Sequence, residues 1–388
     1  MKTITSARNL AINGAEPIFR EPLHVGRPHV ANREGFLRTT HEILDRLWLT
    51  NNGPVVQELE RRIADYHQVR HCVAMSSGTL GLEIAIRALQ LEGEVILPAH
   101  TYVATAHALY WHGLTPVFAD IDPTTHNLDP KSVRCLITDR TSAIIGVHLW
   151  GRLAPVEALQ NLADRFNLKL IYDAAHAFGC SHQGKRVGNF GDCEVLSFHA
   201  TKFFHTLEGG AVLTNQDGLA EQLKLMRNFG FAGIDQVVCA GTNGKLNEVS
   251  AAMGLANLDA LESLLAHNRQ VYSAYLETLA EVPGIHLLTM DESQDSNCQY
   301  VVLEIEPGCK FGRDEIISAL QAENILARRY FWPGCHRMMP YRDLFPSAGR
   351  NLMHTEEVVE RIIVMPAGFA VTPEMVPSIA AVLQTLLG

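Results

Sequence analysis

Lys202 is the first residue whose type and setting suggest chemistry. It lies within residues 197–210, whose sequence SFHATKFFHTLEGG joins two apolar, β-branched segments, residues 194–198 and 210–214. Such segments are typical of buried strands, so we predict a connection and not a long helix around the lysine. Burial in a cleft would lower the pKa of this amine, and a neutral amine can attack an aldehyde to form a Schiff base. Taken alone, the residue also fits an ordinary solvated charge.

A carboxylate and a turn of small residues precede this lysine in the chain. Residues 168–173 (LKLIYD) predict a strand that ends at Asp173, and open α/β sheets bind ligands at this edge. Residues 75–79 (MSSGT) lead into an apolar segment, where hydroxyls and free backbone N–H groups suit a phosphate. The alternatives are a turn or helix-cap aspartate and an ordinary helix start.

Several short motifs share their order and spacing with one known family. They are residues 49–54 (LTNNGP), 58–60 (ELE), 77–79 (SGT), 98–105 (PAHTYVAT), 120–122 (DID), 172–177 (YDAAHA), the lysine segment and 246–248 (LNE). On these residues the chain resembles, over nearly its whole length, the pyridoxal-phosphate sugar aminotransferases of the DegT/DnrJ/EryC1/StrS family. The resemblance implies a transaminase that uses pyridoxal 5'-phosphate (PLP) and has the aspartate aminotransferase-like fold type I.

Three catalytic roles follow from the resemblance. Lys202 would bind the cofactor as a Schiff base and, once freed by the amino donor, act as general base and acid, a type of step that contributes roughly 10²–10⁴ in rate. Asp173 would keep the pyridine nitrogen protonated, so that the ring withdraws electrons. His176 would contact the ring or its phenolic oxygen, and a packed structural histidine is the alternative.

The remaining cofactor contacts are implied by the same motifs. Tyr102 is expected to stack on the ring, with a core aromatic residue as the alternative. The phosphate would be bound by Gly78 and Thr79 at the helix start and by Ser197 ahead of the lysine. Asn247 would reach the phosphate from a partner subunit, so the resemblance implies a homodimer with shared active sites.

The acceptor side is marked by a second group of residues. Candidate contacts to a nucleotide-sugar substrate are Asn51, His199, Arg329 and His336. Residues 327–336 (ARRYFWPGCH) resemble an aromatic-Pro-x-x-His segment of the family, although arginine pairs also occur on plain surfaces. Residues 206–210 (TLEGG) favour the subgroup that aminates C4 of nucleotide-linked 4-keto-6-deoxy sugars. We therefore expect an acceptor of the dTDP-4-keto-6-deoxy-D-glucose type, with L-glutamate as amino donor.

Three alternative functions stay open. A C3-amino-sugar or aminocyclitol transaminase is separated from a C4 enzyme only by substrate assays. A PLP-dependent sugar dehydratase shares the fold, but relatives of that class have histidine in place of the lysine, so Lys202 argues against it. A non-catalytic regulator has no evident chemical need for Lys202, Asp173 and Asn247 together.

Composition restricts the class of protein further. The chain has 388 residues, of which 47% are hydrophobic and 19% charged, as is typical of a globular enzyme with a sizeable core. Its formal net charge of −10 argues against a nucleic-acid partner. No uncharged apolar run reaches the ~18–20 residues of a membrane span, so no membrane partner is expected. The cysteines lack Cys-x-x-Cys spacing and no secretory signal is recognised, which predicts free thiols and a cytoplasmic location.

Histidine is abundant, with 18 residues, so a metal site has to be considered. His199 and His205 lie six residues apart, share no helical face and have no cysteine or carboxylate at a zinc-like interval, so no catalytic metal is expected. A nucleophile elbow, a P-loop and a Gly-x-Gly-x-x-Gly turn are also missing from the sequence, which argues against serine hydrolases and dinucleotide enzymes.

The order of apolar segments predicts an α/β architecture. Seven candidate strands alternate with helix-length segments, which favours a mostly parallel sheet. They are residues 73–75, 94–97, 115–119, 142–148, 169–172, 195–198 and 211–214. Seven strands also match the sheet that the resemblance implies for the large domain.

The second half of the chain predicts a smaller domain. One long helix is expected at residues 249–280, followed by a strand at 299–305 and a helix at 312–323. We therefore divide the chain into a large cofactor-binding domain with an irregular lead, residues 1–255, and a small C-terminal α+β domain, residues 256–388. No low-complexity linker intervenes, so the two domains should pack together.

Overall fold

The computed structural model of the protein describes residues 6–291 and 293–388. The α-helices within those ranges are α1 (Arg33–Arg46), α2 (Pro54–His67), α3 (Gly78–Ala88), α4 (Val103–Trp111), α5 (Pro130–Leu136), α6 (Val156–Phe166), α7 (Asp217–Met226), α8 (Glu248–Asp259), α9 (Leu261–Leu279), α10 (Arg313–Ala322), α11 (Tyr341–Leu344), α12 (Met353–Arg361) and α13 (Val376–Leu387). The strands are β1 (Leu23–His24), β2 (His71–Met75), β3 (Glu94–Pro98), β4 (Thr115–Ala119), β5 (Thr141–Val147), β6 (Lys169–Asp173), β7 (Ser181–His182), β8 (Lys185–Arg186), β9 (Cys193–Ser197), β10 (Gly210–Thr214), β11 (Ile285–Leu287), β12 (Gln294–Asp295), β13 (Val301–Ile305), β14 (Ile325–Leu326) and β15 (Ile362–Met365).

A seven-stranded sheet forms the centre of the molecule, in the order β2-β10-β9-β6-β5-β3-β4. All pairs are parallel except those of β10, which runs antiparallel to β2 and to β9. Every residue of β3 is buried, because helices cover both faces of the sheet. The seven predicted strands are confirmed, each with bounds within two residues of the prediction.

The carboxyl ends of β2, β3, β6 and β9 meet at one edge of this sheet. The chain leaves that edge through the turn before α3, the turn before α4, the small residues after Asp173 and the connection from β9 to β10. Ser77 begins α3 by accepting a hydrogen bond from the backbone N–H of Leu80 at 3.1 Å, a regular N-cap. The topology therefore gathers the segments that carry Ser77, Tyr102, Asp173 and Lys202 at one edge.

The prediction of a single helix over residues 249–280 is wrong. The segment forms two helices, α8 and α9, which bend by 65° at Ala260. The bend follows from packing, because α8 lies against α1 and α2 beside the large sheet whereas α9 packs against α13 and β11. Within the described ranges no single helix has the length and apolar character of a membrane span, and the α8–α9 pair meets those two criteria only when its bent halves are joined.

A smaller unit is built on the antiparallel sheet β11-β13-β15, covered by α9, α10 and α13. Apolar side chains of the lead segment, among them Leu10 and Phe19, pack into this smaller core, and β1 pairs with β14. Leu261 and Leu264, at the start of α9, instead pack into the core of the large unit. We therefore propose that residues 10–23 belong with the smaller unit and that the chain passes between the units within α9. The predicted boundary at residue 255 stays a prediction.

Candidate active site

The loop that carries Lys202 is a tight connection with a fixed backbone. Phe198 donates its N–H to the carbonyl of Gly209 at 2.8 Å, and Thr206 donates to the carbonyl of Phe198 at 3.0 Å. Phe203 and Phe204 anchor the loop because their rings are buried in the core. The prediction that Lys202 lies between two strands is confirmed, and its side chain lines a cavity above the sheet edge.

The amine of Lys202 is held in a low-dielectric setting. Its Nζ donates a hydrogen bond to the hydroxyl of Tyr300 at 2.9 Å. Burial lowers the pKa of Lys202 to about 8, although the nearby charge of Asp173 acts in the opposite direction. With this pKa about a tenth of the amine is neutral at pH 7, whereas an ordinary lysine is almost fully charged there. The residue is thus available as a nucleophile or a base near neutral pH.

Asp173 ends β6 and is fixed by two hydrogen bonds. Oδ2 accepts from the hydroxyl of Thr105 at 2.8 Å, and Oδ1 accepts from the N–H of Ala175 at 3.1 Å. Burial raises the pKa of Asp173, while these two bonds and the charge of Lys202 favour the ionised form. The predicted strand-end position is confirmed, and the carboxylate faces the same cavity as the lysine.

His176 lies three residues after Asp173, in the small turn that follows the aspartate strand. Its Nδ1 accepts a hydrogen bond from the N–H of Trp150 at 3.3 Å, so Nε2 carries the proton of the neutral ring. Burial lowers the pKa of His176 well below its usual value, and the charge of Lys202 acts in the same direction. The ring stacks on Trp150 and lies 4.4 Å from the ring of Tyr300. The site therefore offers a neutral N–H donor here.

The start of α3 has the properties of a phosphate site. The N–H groups of Gly78 and Thr79 lie in the first turn, where no intrahelical acceptor exists. A Cβ added to Gly78 would meet the Cβ of Ser197 at 3.0 Å, so the glycine permits a close approach of backbone to the serine side chain. Thr79 and Ser197 line the same cavity as Lys202. These donors fit the phosphate of PLP, and Lys202 and Asp173 fit its aldehyde and ring.

The cavity that joins these groups, here called the lysine cavity, has a volume of about 450 Å³. It brings together the predicted residues Gly78, Thr79, Tyr102, Asp173, His176, Ser197, His199 and Lys202. Tyr102 is 59% exposed, and its ring lies 5.8 Å from that of Phe331, so one face stays open to a ligand. His199 is held by Thr201 and Glu208 at the rim.

Four predicted residues lie outside this cavity, namely Asn51, Asn247, Arg329 and His336. Asn247 is exposed and caps α8, where its Oδ1 accepts from the N–H of Ser250 at 2.8 Å. Asn51 has a left-handed backbone with φ of 63° and lines a separate pocket of about 390 Å³ beside Arg227. The roles of Asn51 and Asn247 at a partner's site or substrate stay predictions.

A second cavity of about 570 Å³, here called the arginine cavity, shares a wall with the lysine cavity. Arg329 lines it, is bonded to Asp314 at 3.0 Å and stacks over Trp332 at 4.4 Å. Arg328 lines both cavities. His336 lines neither, because it is 3% exposed and its Nε2 is bonded to Glu356 at 2.6 Å.

Two residues that hold the groups of the lysine cavity were not predicted from the sequence. Thr105 does not line the cavity but donates its hydroxyl to Asp173, and the sequence marks it only as part of a motif. Tyr300 bonds the lysine from a position 98 residues away in the chain. Only the polar run of residues 297–299 before an apolar strand marks that segment in the sequence. In the ranges that the structure describes, no group of three or more His, Cys, Asp or Glu side chains could hold a metal ion.

Comparison with known proteins gives a consistent result. The model of the DegT/DnrJ/EryC1/StrS aminotransferase family matches residues 31–384. A dTDP-4-amino-4,6-dideoxy-D-glucose transaminase of Shigella dysenteriae is 34% identical over 368 residues, which covers 94% of this chain and 99% of the relative. A GDP-perosamine synthase of Caulobacter vibrioides is 35% identical over 318 residues, which covers 78% of this chain and 83% of the relative.

Solved structures are similar over almost the whole chain. DesI, crystallised in the presence of its TDP-sugar product, has a TM-score of 0.93 and 44% identity, covering 98% of this chain and 96% of DesI. The PLP form of a candidate sugar aminotransferase, Spr1654 of Streptococcus pneumoniae, has a TM-score of 0.87 and 26% identity. The match covers 94% of this chain and 98% of Spr1654. These likenesses confirm the predicted α/β fold type I.

Proposed function

Because the chain belongs to the DegT/DnrJ/EryC1/StrS aminotransferase family, we propose that it transfers the amino group of L-glutamate to C4 of a dTDP-linked 4-keto-6-deoxy sugar. It is a PLP-dependent sugar aminotransferase. The observation that carries the proposal is the single cavity in which the Lys202 amine, the Asp173 carboxylate and the first turn of α3 meet. The names of the Shigella dysenteriae relative and of the DesI structure support a dTDP-linked sugar.

Each group in the lysine cavity has a defined task in this proposal. The cofactor, when bound, withdraws electrons from the carbon that loses a proton. Lys202 moves that proton, since its lowered pKa lets the amine exist in both states near neutral pH. Asp173 would hold the ring nitrogen in its charged form, and the neutral His176 would donate a hydrogen bond from its Nε2–H to the phenolic oxygen. Tyr102 would cover the exposed face of the ring.

The phosphate would be bound by donors of this chain that carry no charge. They are the N–H groups of Gly78 and Thr79 and the hydroxyls of Thr79 and Ser197. The positive end of the α3 dipole adds to them. Asn247 is proposed to complete the phosphate site of a partner subunit.

The arginine cavity is proposed to bind the nucleotide diphosphate. The protein carries a net charge of −10, so an anionic substrate needs a local positive field. Arg328 and Arg329 supply it next to the aromatic rings of Tyr330 and Trp332, which suit a nucleobase. Because Arg328 borders both cavities, it lies where the diphosphate would join the sugar.

A homodimer is part of the proposal, because large apolar side chains are exposed on the chain segments before Asn51 and after Asn228, two residues that line one pocket. Trp48 is 45% exposed, Phe229 is 45% exposed and Ile234 is 94% exposed. A second copy that covers these residues would bring Asn247 into a shared site. Light scattering on the protein as it elutes from a size-exclusion column should report one mass, that of two chains.

All eight cysteines are free thiols, which supports a reducing, cytoplasmic compartment.

The test of function is a single-turnover experiment on the PLP-loaded protein. The visible band of the cofactor should disappear with L-glutamate and return with dTDP-4-keto-6-deoxy-D-glucose, and NMR of the product should show nitrogen on C4. Lys202→Ala should give neither change. Disappearance without return would keep the aminotransferase and reject this acceptor, and nitrogen on C3 would favour the C3-amino-sugar alternative.

A GDP-linked sugar is the second candidate acceptor. It is favoured by the likeness to the Caulobacter vibrioides GDP-perosamine synthase. The GDP-linked 4-keto-6-deoxy sugar should be tested in the same experiment at equal concentration. If the cofactor band returns faster with the GDP-linked sugar, the proposed nucleotide changes from dTDP to GDP. The proposed chemistry of the site stays the same.

A further inference from the structure

Residues 297–300 fasten the smaller unit to the two loops that carry the chemistry. The side chain of Asn297 donates hydrogen bonds to the carbonyls of His176 at 2.8 Å and of Phe178 at 3.1 Å. Phe203, next to the catalytic lysine, donates its N–H to the side chain of Gln299 at 3.4 Å. The segment therefore has a fixed position relative to both loops just before β13 begins.

Tyr300 follows in this segment and is directed at Lys202. Its side chain is 6% exposed, and its hydroxyl lies 2.9 Å from Nζ. The ring cannot turn freely, because the rings of His176 and Trp150 lie 4.4 Å and 5.5 Å from it. Among the described residues no other group forms a hydrogen bond with Nζ, and Asp173 acts on the amine through its charge.

We propose that Tyr300 is a positioning residue, whose hydroxyl holds the Lys202 amine in the lysine cavity whenever the amine is not joined to the cofactor. A hydroxyl suits both protonation states, because its oxygen accepts from an ammonium N–H and its O–H donates to the lone pair of a neutral amine. The inference rests on the proposed transaminase chemistry, in which the amine is released and must later act on the same carbon.

The need for such a residue follows from the lysine side chain itself. Its flexible four-carbon stem allows a free amine to take many positions, and catalysis by a group depends on its being held in reach. The hydroxyl lies between the ring of Tyr300 and the amine, with the ring centroid 5.5 Å from Nζ. Phenylalanine would keep this ring and its packing but could not bond either form of the amine.

The same hydroxyl should contribute to the proton affinity of Lys202. Titratable and charged groups that line the cavity around the amine are Asp173, His176, Tyr102, Tyr330, His199, Glu208 and Arg328. Burial lowers the pKa of Lys202 to about 8. The hydroxyl of Tyr300 acts in the opposite direction, because accepting a hydrogen bond from Nζ favours the ammonium form. Removing the hydroxyl should therefore lower this pKa further, whereas a purely structural role would leave it unchanged.

The experiment compares Tyr300→Phe with Tyr272→Phe, a matched loss of one buried hydroxyl whose partner is the carbonyl of Leu288. The pKa of Lys202 is measured in cofactor-free protein from the pH dependence of its labelling by an amine-selective reagent, followed by mass spectrometry of the Lys202 peptide. Tyr300→Phe should lower it by about one pH unit, the effect of losing one hydrogen bond to a charged group. Tyr272→Phe should match the wild type.

Turnover of the PLP-loaded protein gives the second readout. Tyr300→Phe should lower kcat by about tenfold and leave the KM for L-glutamate within twofold, because ground-state binding is not affected. Tyr300→Leu, which lacks both the hydroxyl and the ring, should also lower the pKa of Lys202. An unchanged pKa in both variants, or an equal fall in Tyr272→Phe, would overturn the inference. Labelling needs no sugar, so a wrong acceptor assignment would leave this test intact.

Discussion

The lysine cavity is built from loops at one edge of the large sheet, whereas the arginine cavity is built mainly from residues 314–338 of the smaller unit. The first holds Asp173 and His176 deeply buried, and each of these two side chains has a fixed hydrogen-bond partner. In the second, Arg329 is paired with a half-exposed aspartate at the surface. In the proposed function, substitutions in the lysine cavity should therefore affect the chemistry, and substitutions in the arginine cavity should affect binding.

Loss of the Lys202 amine should have the largest effect. In the proposed function Lys202→Ala removes both the attachment of the cofactor and the proton carrier, so kcat should fall by roughly 10²–10⁴-fold or more. The measurement is steady-state transamination with L-glutamate. Lys131→Ala, at an exposed position on α5, is the control and should retain full activity. A near-normal kcat for Lys202→Ala would contradict the proposal that the lysine cavity carries the chemistry and the arginine cavity the binding.

Loss of the buried carboxylate should be the next most severe change. Asp173→Asn keeps the shape of the side chain but removes the charge that holds the ring nitrogen, and kcat should fall on the order of 10²-fold, as for other preorganised electrostatic contacts. The visible spectrum of the loaded protein should shift as well. Asp164→Asn, at an exposed position on α6, serves as control. Equal activity of both variants would contradict the assigned role.

The arginine cavity should respond through binding. Arg328 has no carboxylate within ion-pair distance among the described residues, so its charge is available to an anion, whereas Arg329 is paired with Asp314. Arg328→Ala should raise the KM for the nucleotide sugar about tenfold and Arg329→Ala should raise it less, with kcat and the KM for L-glutamate near normal. A fall in kcat without a change in KM would place Arg328 in the chemistry instead.

The smallest effect on activity is expected at a contact between the two units. Burial raises the pKa of Glu304, but bonds and charges from His126, His286 and Arg361 outweigh it, so the folded-state pKa is lowered. Such a group stabilises the fold above its unfolded pKa of about 4.3, and the stabilisation is lost as pH falls through the folded value.

Glu304→Gln should therefore lower the free energy of unfolding by about 1–3 kcal/mol above pH ~5 and flatten its decrease in acid. Urea unfolding at a series of pH values measures this. The kcat at neutral pH should stay near that of the wild type, because Glu304 lines neither cavity. A parallel loss of stability at all pH values would assign the effect to packing instead of charge.

The sequence predicts the lysine cavity well because its residues lie next to strands with a clear apolar pattern. Asp173 follows such a strand and Lys202 lies between two, so a parallel sheet brings them together without knowledge of tertiary contacts. Tyr300 could not be found this way, because its bond to the lysine spans 98 residues and depends on how the units pack.

Two other features had no local signal in the sequence. The bend at Ala260 lacks a proline or glycine, so only the competing surfaces of the two units explain why the helix ends there. His336 lies in a segment with polar and aromatic residues that resembles a substrate contact, yet the structure buries it against Glu356. The residue types around Ala260 are compatible with a continuous or a broken helix, and those around His336 with an exposed or a buried histidine.

The place of the lead segment in the smaller unit has a consequence for synthesis on the ribosome. The large sheet ends at Thr214, so its strands can pair while the remaining chain is still being made. Leu10 and Phe19 cannot be buried at that stage, because the strand and helices that cover them come from the last third of the chain. Leu10 and Phe19 therefore leave the ribosome well before they can be buried, and they need protection from misassociation until the strand and helices that cover them have been made.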